Sequence, residues 1–377
     1  MTGTSTAPRR PLVLHVLEAL EGGTARHLCD IATHATASDH VVVIPERRVG
    51  GLTDETARAR LEAAGAEVHL LGMRRTPWSP ANARALLQLR GVVRRLTPDV
   101  VHGHSSIGGL LARVAVGHRT PVVYTANGIT TARVGVVVER ALRRRTTTFV
   151  ATSESEAEHA RRLGITRGTR TVVIPNGIEP SSPPSPLDLR TELGIPAGAP
   201  LAGSISRLVP QKAPADLVAA ARVVVDAVPE AHLVVIGDGE LREEYEAAVA
   251  AAGLEGRLHR IASLPGAAGV LDQLDVFLLA SVFEGGPYAP LEAMRAGTAV
   301  VLTDVVGSRD AVEDGTSGVL VPPGRPDLLG SAVAALLRDP ARRERLAAAG
   351  RARVAERFDA RAAGAALDHL YAELAAR

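Results

Sequence analysis

The chain has 377 residues, enough for two domains. Hydrophobic residues make up 46% and charged residues 22%, which excludes long disorder and leaves apolar material for two cores. A net charge of +2 and an aromatic content of 2% argue against nucleic-acid binding, and a single cysteine, Cys29, excludes an internal disulfide and a metal site built from thiolates.

Short apolar runs, typical of parallel strands buried on both faces, alternate with helix-like segments along the chain. In the first half we predict helices between the strands, for example at 25–35 and 81–96, and strands at 12–17, 40–44, 67–71, 100–102, 121–124, 147–152 and 171–174. In the second half we predict strands at 201–205, 232–236, 258–261, 276–280, 299–302 and 318–321. The helices there are predicted at 214–228, 241–252, 291–296, 308–313 and 327–337. Such repeats predict an α/β fold with doubly wound sheets.

A serine- and proline-rich stretch interrupts this pattern after residue 179 and suits neither helix nor central strand. We therefore predict a Rossmann-like domain at 1–180, a linker at 181–199 and a second Rossmann-like domain at 200–358, facing each other across a cleft. The last segment, 359–377, is predicted to be a helix that either packs on its own domain or crosses back to the first.

Two glutamates, Glu284 and Glu292, lie eight positions apart with glycines and prolines between them. We expect a helix to begin near Pro290, because proline in a first turn loses no intrahelical hydrogen bond, and the N–H groups there form an anion site. Glu292 would then lie in the first turn, facing a ribose diol, and Glu284 in the preceding loop, facing sugar hydroxyls. The alternative is a capped helix with two solvated acids.

Arg207 and Lys212 follow the strand predicted at 201–205, five positions apart. Arginine as a planar fork and lysine as a point charge can bind one diphosphate together. Lys212 is the single lysine among 43 basic residues, which favours a specific role over a plain surface turn.

Two further segments follow predicted strands of the first half. Gly22 and Gly23 follow the first strand, where glycine lets a phosphate or sugar approach the backbone, although a plain turn is an equal alternative. His102 and His104 end another strand and are expected to point at the same cleft. With no further histidine or paired carboxylate nearby, we interpret them as hydrogen-bonding or packed side chains and predict no metal site.

In their order and spacing these segments resemble glycosyltransferase family 4, which has the two-domain GT-B fold. The resemblance runs from about Val13 to Gly324. The motifs that carry it are Glu-Gly-Gly at 21–23, Asp-Val-Val-His-Gly-His-Ser at 99–105, Val-Val-Tyr-Thr-Ala-Asn-Gly at 122–128, Ile-Pro-Asn-Gly-Ile at 174–178, Ser-Arg-Leu-Val-Pro-Gln-Lys at 206–212, Gly-Asp-Gly at 237–239, the two glutamates of 284–292, and Thr-Asp-Val-Val-Gly-Ser-Arg-Asp at 303–310.

The resemblance implies a retaining glycosyltransferase, with a hexose-type sugar moved from a nucleotide-sugar, most commonly a UDP-sugar, to an acceptor. It implies that the second domain binds the donor and the first the acceptor, with no cofactor and no metal needed for catalysis. The donor-binding residues it implies are Gly23, Arg207, Lys212, Glu284, Tyr288, Ala289, Leu291 and Glu292. On the acceptor side it implies His104 and Asn127, with Glu284 and Asn127 as the catalytic pair.

The chain departs from the family at Gly286, Pro290 and Ala299 and, with the largest consequence for the chemistry, at Asn127, where the family often has histidine. Asparagine can hydrogen-bond a sugar hydroxyl but cannot carry charge. Two alternatives therefore stay open: a nucleotide-sugar epimerase, for which His104 is the candidate proton-transfer group, and an inactive sugar-nucleotide-binding subunit. The sequence leaves open the base, the sugar, the linkage, the oligomeric state, and whether the acceptor is a polysaccharide, a glycolipid or a natural product.

No stretch approaches the length of a membrane span, and the apolar run at 12–17 is too short for a signal sequence, which indicates a cytoplasmic protein. The segment 134–145 combines valines with four arginines. It suggests weak peripheral contact with the anionic inner face of a membrane. A solvated helix face beside a buried strand is the preferred interpretation.

Overall fold

The computed structural model describes residues 9–46, 55–74, 76, 78–129 and 132–377. Two compact units divide the chain: residues 1–177 together with 360–377 form the first, and residues 178–359 form the second. Each unit has one parallel β-sheet with helices on it.

The first unit contains a seven-stranded sheet in the order β3-β2-β1-β4-β5-β6-β7. Its strands are β1 (Leu12–Leu17), β2 (Asp39–Pro45), β3 (Glu67–Leu71), β4 (Val100–His104), β5 (Val122–Thr125), β6 (Thr148–Ala151) and β7 (Arg170–Val173). Its helices are α1 (Gly22–His34), α2 (Glu55–Ala63), α3 (Pro80–Leu96), α4 (Ser106–Ala115), α5 (Arg133–Leu142), α6 (Glu154–Arg162) and, from the end of the chain, α14 (Ala360–Ala375).

The second unit contains a six-stranded sheet in the order β10-β9-β8-β11-β12-β13. Its strands are β8 (Leu201–Ile205), β9 (His232–Ile236), β10 (Leu258–Ile261), β11 (Val276–Leu279), β12 (Ala299–Thr303) and β13 (Val319–Val321). Its helices are α7 (Leu189–Leu193), α8 (Pro214–Ala227), α9 (Arg242–Ala251), α10 (Tyr288–Ala296), α11 (Ser308–Ala311), α12 (Pro326–Arg338) and α13 (Pro340–Arg357).

Every strand predicted from an apolar run is present, with ends displaced by at most two residues. The central strands are buried on both faces, as in β9 and β12, where all five residues are buried. This is the reason why continuous rather than alternating apolar runs predicted them.

The C-terminal helix α14 packs within the first unit. Leu367, Leu370, Tyr371 and Leu374 bury one helical face against a core that includes Val13 of β1. The Asp368 carboxylate accepts hydrogen bonds from the Ala37 backbone N–H (2.8 Å) and the Ser38 hydroxyl (2.6 Å). Of the two alternatives for this helix, packing on the first unit is the one that the structure shows.

The segment 181–199, predicted as a linker, is part of the second unit. It contains the short helix α7, and Leu189 and Ile195 lie in the core of that unit. The Leu189 N–H donates to the Gln273 side-chain oxygen (2.7 Å). The difference arises because apolar residues behind the prolines anchor the segment to the second sheet.

Among the described residues, no helix is both long enough and apolar enough to cross a membrane. Helix α5 leaves two valines in solvent, Val134 at 67% and Val137 at 62% exposure. Its other side is fixed by Glu139, which accepts two hydrogen bonds from the buried Arg113 (2.7 and 3.1 Å).

Candidate functional site

In each sheet there is one place where two neighbouring strands have connections that lead away in opposite directions. In doubly wound folds, ligands bind at this place, beyond the carboxyl ends of the strands. In the second unit the reversal lies between β8 and β11. The loop after β8 leads through a short 3₁₀ turn, Pro210–Lys212, to helix α8. The loop after β11 runs from Ala280 to Pro287 and leads to helix α10. Nearly all sequence-predicted donor residues lie in or directly after these two loops.

The two loops are tied together through Gln211. Its backbone carbonyl accepts a hydrogen bond from the Val282 N–H (2.9 Å), and its side-chain amide donates to the Phe283 carbonyl (3.0 Å). This fixes the neighbouring residue, Lys212, opposite the second loop.

Lys212 and Glu284 form an ion pair across these loops. The Lys212 Nζ lies 2.5 Å from Glu284 Oε1, and the Ser281 hydroxyl donates to the same oxygen at 2.5 Å. Only 16% of the lysine side chain and 6% of the glutamate side chain are exposed. A charge removed this far from water must be paired, so each residue holds the other in place.

Helix α10 begins at Tyr288, two residues before the predicted start at Pro290. Pro290 is thus the third helical residue, where a missing N–H breaks no intrahelical bond. The N-cap residue, Pro287, offers no side-chain cap. The Ala289 N–H lies in the first turn, where backbone N–H groups have no intrahelical acceptor, whereas Leu291 is the fourth helical residue, and its N–H is positioned to bond within the helix. Glu292 is buried, but it is the fifth helical residue and lies just past the first turn, in contrast to the prediction.

Two glycines allow the neighbouring loops to approach closely. A Cβ on Gly237 would lie 2.1 Å from the Ser206 carbonyl oxygen, and one on Gly307 would lie 2.4 Å from the Gly285 carbonyl oxygen. Gly307 also has a φ of +82°, which disfavours other residues. These contacts explain the Gly-Asp-Gly motif and Gly307 as requirements of the backbone around the two loops.

This arrangement can bind an anion and a polyol side by side. Lys212 supplies a positive charge, Arg207 lies half-buried in the same loop, and the N-terminus of α10 adds its dipole. The carboxylate of Glu284 is an acceptor suited to hydroxyl groups. Of the sequence-predicted donor residues of the second unit, Lys212 and Glu284 are in direct contact, and the others lie in the same loops and in helix α10.

In the first unit the reversal lies between β1 and β4. Gly23 is the second residue of α1, directly after the loop that follows β1. In that loop Glu18 is buried and accepts hydrogen bonds from the Ser105 hydroxyl (2.8 Å) and the Gly108 N–H (2.9 Å). Sequence reasoning missed Glu18, although an acid directly behind an apolar strand was a usable signal.

Asn127 follows β5 in a left-handed conformation, with φ at +54°. Asparagine tolerates this region better than most residues. The loop is held by the buried Glu156, which accepts hydrogen bonds from the N–H groups of Gly128 (2.8 Å) and Thr152 (2.7 Å). The Asn127 Nδ2 is buried and finds no hydrogen-bond partner among the residues that the structure describes.

His104 differs from its expected place on the acceptor side. Its side chain is fully buried, because it lies on the face of the sheet that α1 and α14 cover. The expectation that no further histidine lies nearby is wrong. His104 belongs to a histidine cluster that comprises His15, His27, His40, His102 and His104.

Burial disfavours the charged form of each imidazole in the histidine cluster. It lowers the pKa of His15, His102 and His104 well below the usual value, and neighbouring histidines lower it further. The pKa of His27 falls to about 4, mainly because of burial. The cluster is therefore neutral at pH 7.

Both halves of the chain match known families. Residues 187–353 match the model for glycosyl transferases group 1, and residues 22–177 match the model for a glycosyl transferase 4-like domain. The chain is 31% identical over 356 residues to 2-deoxystreptamine N-acetyl-D-glucosaminyltransferase of Streptomyces fradiae, which covers 86% of this chain and 83% of that protein. It is 35% identical over 205 residues to 2-deoxystreptamine glucosyltransferase of Streptomyces kanamyceticus, covering 52% of this chain and 53% of that protein.

A solved structure shows the same fold. Alr3699/HepE of Anabaena, in complex with UDP and glucose, matches with a TM-score of 0.81 and 22% identity, covering 96% of this chain and all of that one.

Proposed function

We propose that this chain, which belongs to the group 1 glycosyltransferases with a 4-like first domain and the GT-B fold, is a retaining enzyme that uses a UDP-sugar. Glycosyl transfer from a nucleotide-sugar follows from the family. The retaining course, the uridine base and a hexose-type sugar are the proposal. We further propose a small polyhydroxylated natural product, of the aminocyclitol class, as the acceptor, since two relatives are named for transfer to 2-deoxystreptamine.

The contact between Lys212 and Glu284 carries this proposal. It supports the proposal because a cation that would meet the diphosphate lies against a carboxylate that would meet the sugar, in the loop before a helix N-terminus. A site for a diphosphate alone has no use for a buried acid at this point, because like charges repel. A site that spans diphosphate and sugar needs both.

In the proposed reaction the acceptor hydroxyl oxygen forms the new bond to the anomeric carbon while the bond from that carbon to the diphosphate oxygen breaks. The acceptor proton passes to the leaving phosphate on the same face. Negative charge grows on the diphosphate, where Lys212, Arg207 and the N–H groups of α10 stabilise it. We propose that these groups suffice without a metal ion, and that Glu292 binds the ribose.

Thermal unfolding with a panel of UDP, GDP, ADP, TDP and their sugar conjugates tests the donor site. We expect uridine nucleotides to stabilise the protein, by roughly 2.7 kcal/mol at 100 times the dissociation constant. Lys212→Ala should abolish most of this shift, because it removes the charge that meets the diphosphate. Arg222→Ala, which removes a basic residue paired with Asp226 on α8, serves as the matched control and should behave as wild type.

Turnover separates the alternatives. With EDTA present, we expect transfer from the stabilising UDP-sugar to an aminocyclitol, with the α-configuration retained. Conversion of the donor without any acceptor would indicate an epimerase, and nucleotide binding without turnover on any acceptor would indicate a non-catalytic subunit. Absence of stabilisation by every nucleotide would contradict the donor site itself.

We also propose weak contact of α5 with an anionic membrane surface. Val134 and Val137 are exposed on this helix, and Arg133, Arg140 and Arg144 are exposed with them. We expect vesicles of anionic lipid to sediment the protein at low salt, and Val134→Asn with Val137→Asn to reduce this binding several-fold. Val282→Asn, an exposed valine of the second unit, is the control. Equal sedimentation with neutral lipid would overturn the idea.

A further inference from the structure

Three members of the histidine cluster come from neighbouring parallel strands. His15 of β1 pairs in register with His102 of β4, and His104 lies two residues further along β4. Side chains two residues apart point to the same face of a sheet, so all three imidazoles meet on one face. One ring nitrogen from each can be chosen so that all three lie within 4.8 Å of one another.

A chain of hydrogen bonds fixes which nitrogen of His15 faces this meeting point. The Ala35 carbonyl can only accept, so His40 donates to it through Nε2 (2.7 Å) and keeps a lone pair on Nδ1. His15 Nε2 lies 3.0 Å from that lone pair and must donate to it. A neutral His15 therefore has a lone pair on Nδ1, which faces His104 Nε2 at 3.0 Å.

His102 is oriented in the same way. The Tyr371 hydroxyl lies 2.7 Å from His102 Nδ1, and the Thr125 hydroxyl lies 2.9 Å from Nε2. Each hydroxyl can donate or accept, so a neutral His102 accepts a hydrogen bond from one of them and donates to the other. When Tyr371 is the donor, the His102 lone pair is on Nδ1 and Nε2 donates to Thr125.

His104 completes the group with an unsatisfied atom. If His104 donates from Nε2 to His15, its Nδ1 has a buried lone pair, and this Nδ1 finds no hydrogen-bond partner within the described part of the chain. His27, whose ring lies 5.6 Å from that of His104, likewise has a buried Nε2 with no partner there. Two buried ring nitrogens at the three histidines and beside them are therefore left without a hydrogen bond among the described residues, which is costly.

We propose that His15, His102 and His104 form a binding site for one divalent transition-metal ion of the zinc type, with a small solvent ligand in the fourth position. Two nitrogens bound to one zinc ion at its usual distance are about 3.3 Å apart, close to the spacing between His15 Nδ1 and His104 Nε2. The site is separate from the donor-binding loops of the second unit, and its role is to fix α14 to β1 and β4.

The surroundings suit such an ion. Imidazole ligands select zinc, copper or nickel rather than magnesium or calcium. Metal-bound histidines usually donate their second N–H to a fixed acceptor, as His15 does to His40 and His102 does to Thr125. Asp368 acts electrostatically on both His40 and Tyr371 and offsets part of the positive charge.

Metal titration of the full chain, stripped with EDTA and desalted, tests the site. We expect one Zn²⁺ per chain after gel filtration, a rise in unfolding temperature, and a tetrahedral Co²⁺ absorption spectrum. His15→Gln and His104→Gln should each weaken binding at least tenfold, and His40→Gln, which removes an outer partner, by roughly 10- to 100-fold. The cobalt spectrum of the wild-type protein tests the site without any substitution, so the test remains valid even if a variant does not fold.

The second unit offers a matched control. His232 Nδ1 lies 3.0 Å from His259 Nε2, the same spacing as in the histidine cluster, but this pair has no third histidine with it among the described residues. His259→Gln should bind zinc as wild type does. The proposal is overturned if wild type retains no stoichiometric zinc, if cobalt gives only an octahedral spectrum, or if the cluster variants bind as tightly as His259→Gln.

Discussion

Glu284→Gln is expected to lower kcat/KM by roughly 100-fold or more, because a glutamine cannot hold the charge of Lys212 in position and small displacements of positioning groups cost about this much. Lys212 Nζ and the Ser281 hydroxyl both contact Glu284 Oε1 at 2.5 Å. On the proposed function, loss of the carboxylate moves the cation that would meet the diphosphate and weakens the acceptor that would meet the sugar hydroxyls. Initial rates at varied donor and acceptor concentrations measure the effect.

Stability and activity must be separated in this test. Glu284→Gln leaves the largely buried charge of Lys212 without its counter-ion, so we expect it to cost roughly 3 kcal/mol of unfolding free energy. Glu244→Gln, an exposed residue of α9 in the same unit, is the matched control and should retain full activity.

A double-mutant cycle sharpens the result. If Lys212 and Glu284 act as one unit, Lys212→Ala and Glu284→Ala together should cost little more than either alone. Fully additive losses would mean that the ion pair has no part in positioning the donor. Unchanged activity in Glu284→Gln would remove this residue from the catalytic machinery.

The sequence predicted the strands well because burial on both faces leaves a local signature. The sequence also predicted that Arg207, Lys212 and Glu284 lie in loops after buried strands. Polar and glycine-rich segments after such strands mark the carboxyl ends of a parallel sheet. It did not predict that Lys212 contacts Glu284 directly. The two residues are 72 positions apart, and only the order of the strands, with β8 beside β11, brings them together.

The histidine cluster was missed for the same reason. His15 is a single polar residue within an apolar run, and His102 lies 87 residues further along the chain. Their contact depends on β4 pairing with β1 across two intervening strands and on a register that aligns His15 with His102. A histidine within an otherwise apolar strand was the one available signal. Similarly, the prolines at the start of 181–199 predicted a linker, although Leu189 behind them packs in the core of the second unit.

Glu156→Ala is expected to cost roughly 3 kcal/mol of stability, because it leaves several buried donors unpaired at about 1–3 kcal/mol each. Glu156 is fully buried, and its carboxylate accepts hydrogen bonds from the Gly128 N–H, the Thr152 N–H and the Thr152 hydroxyl (2.8, 2.7 and 2.9 Å). Chemical denaturation of this variant measures the loss. Glu154→Ala, an exposed position on the same helix, should change stability by less than about 0.5 kcal/mol.

Glu156→Ala also tests the role of Asn127, because Glu156 accepts a hydrogen bond from Gly128, the residue directly after Asn127. A left-handed backbone costs free energy even for asparagine, and the Gly128 contact helps to hold it. Released from that contact, Asn127 would leave its position, and if it contacts the acceptor we expect the KM for the acceptor to rise while donor-induced stabilisation stays normal. If donor-induced stabilisation fell as much as acceptor binding, the substitution would have impaired the whole protein rather than the acceptor site alone. An unchanged KM in a destabilised variant would limit Glu156 to folding and remove Asn127 from the acceptor site.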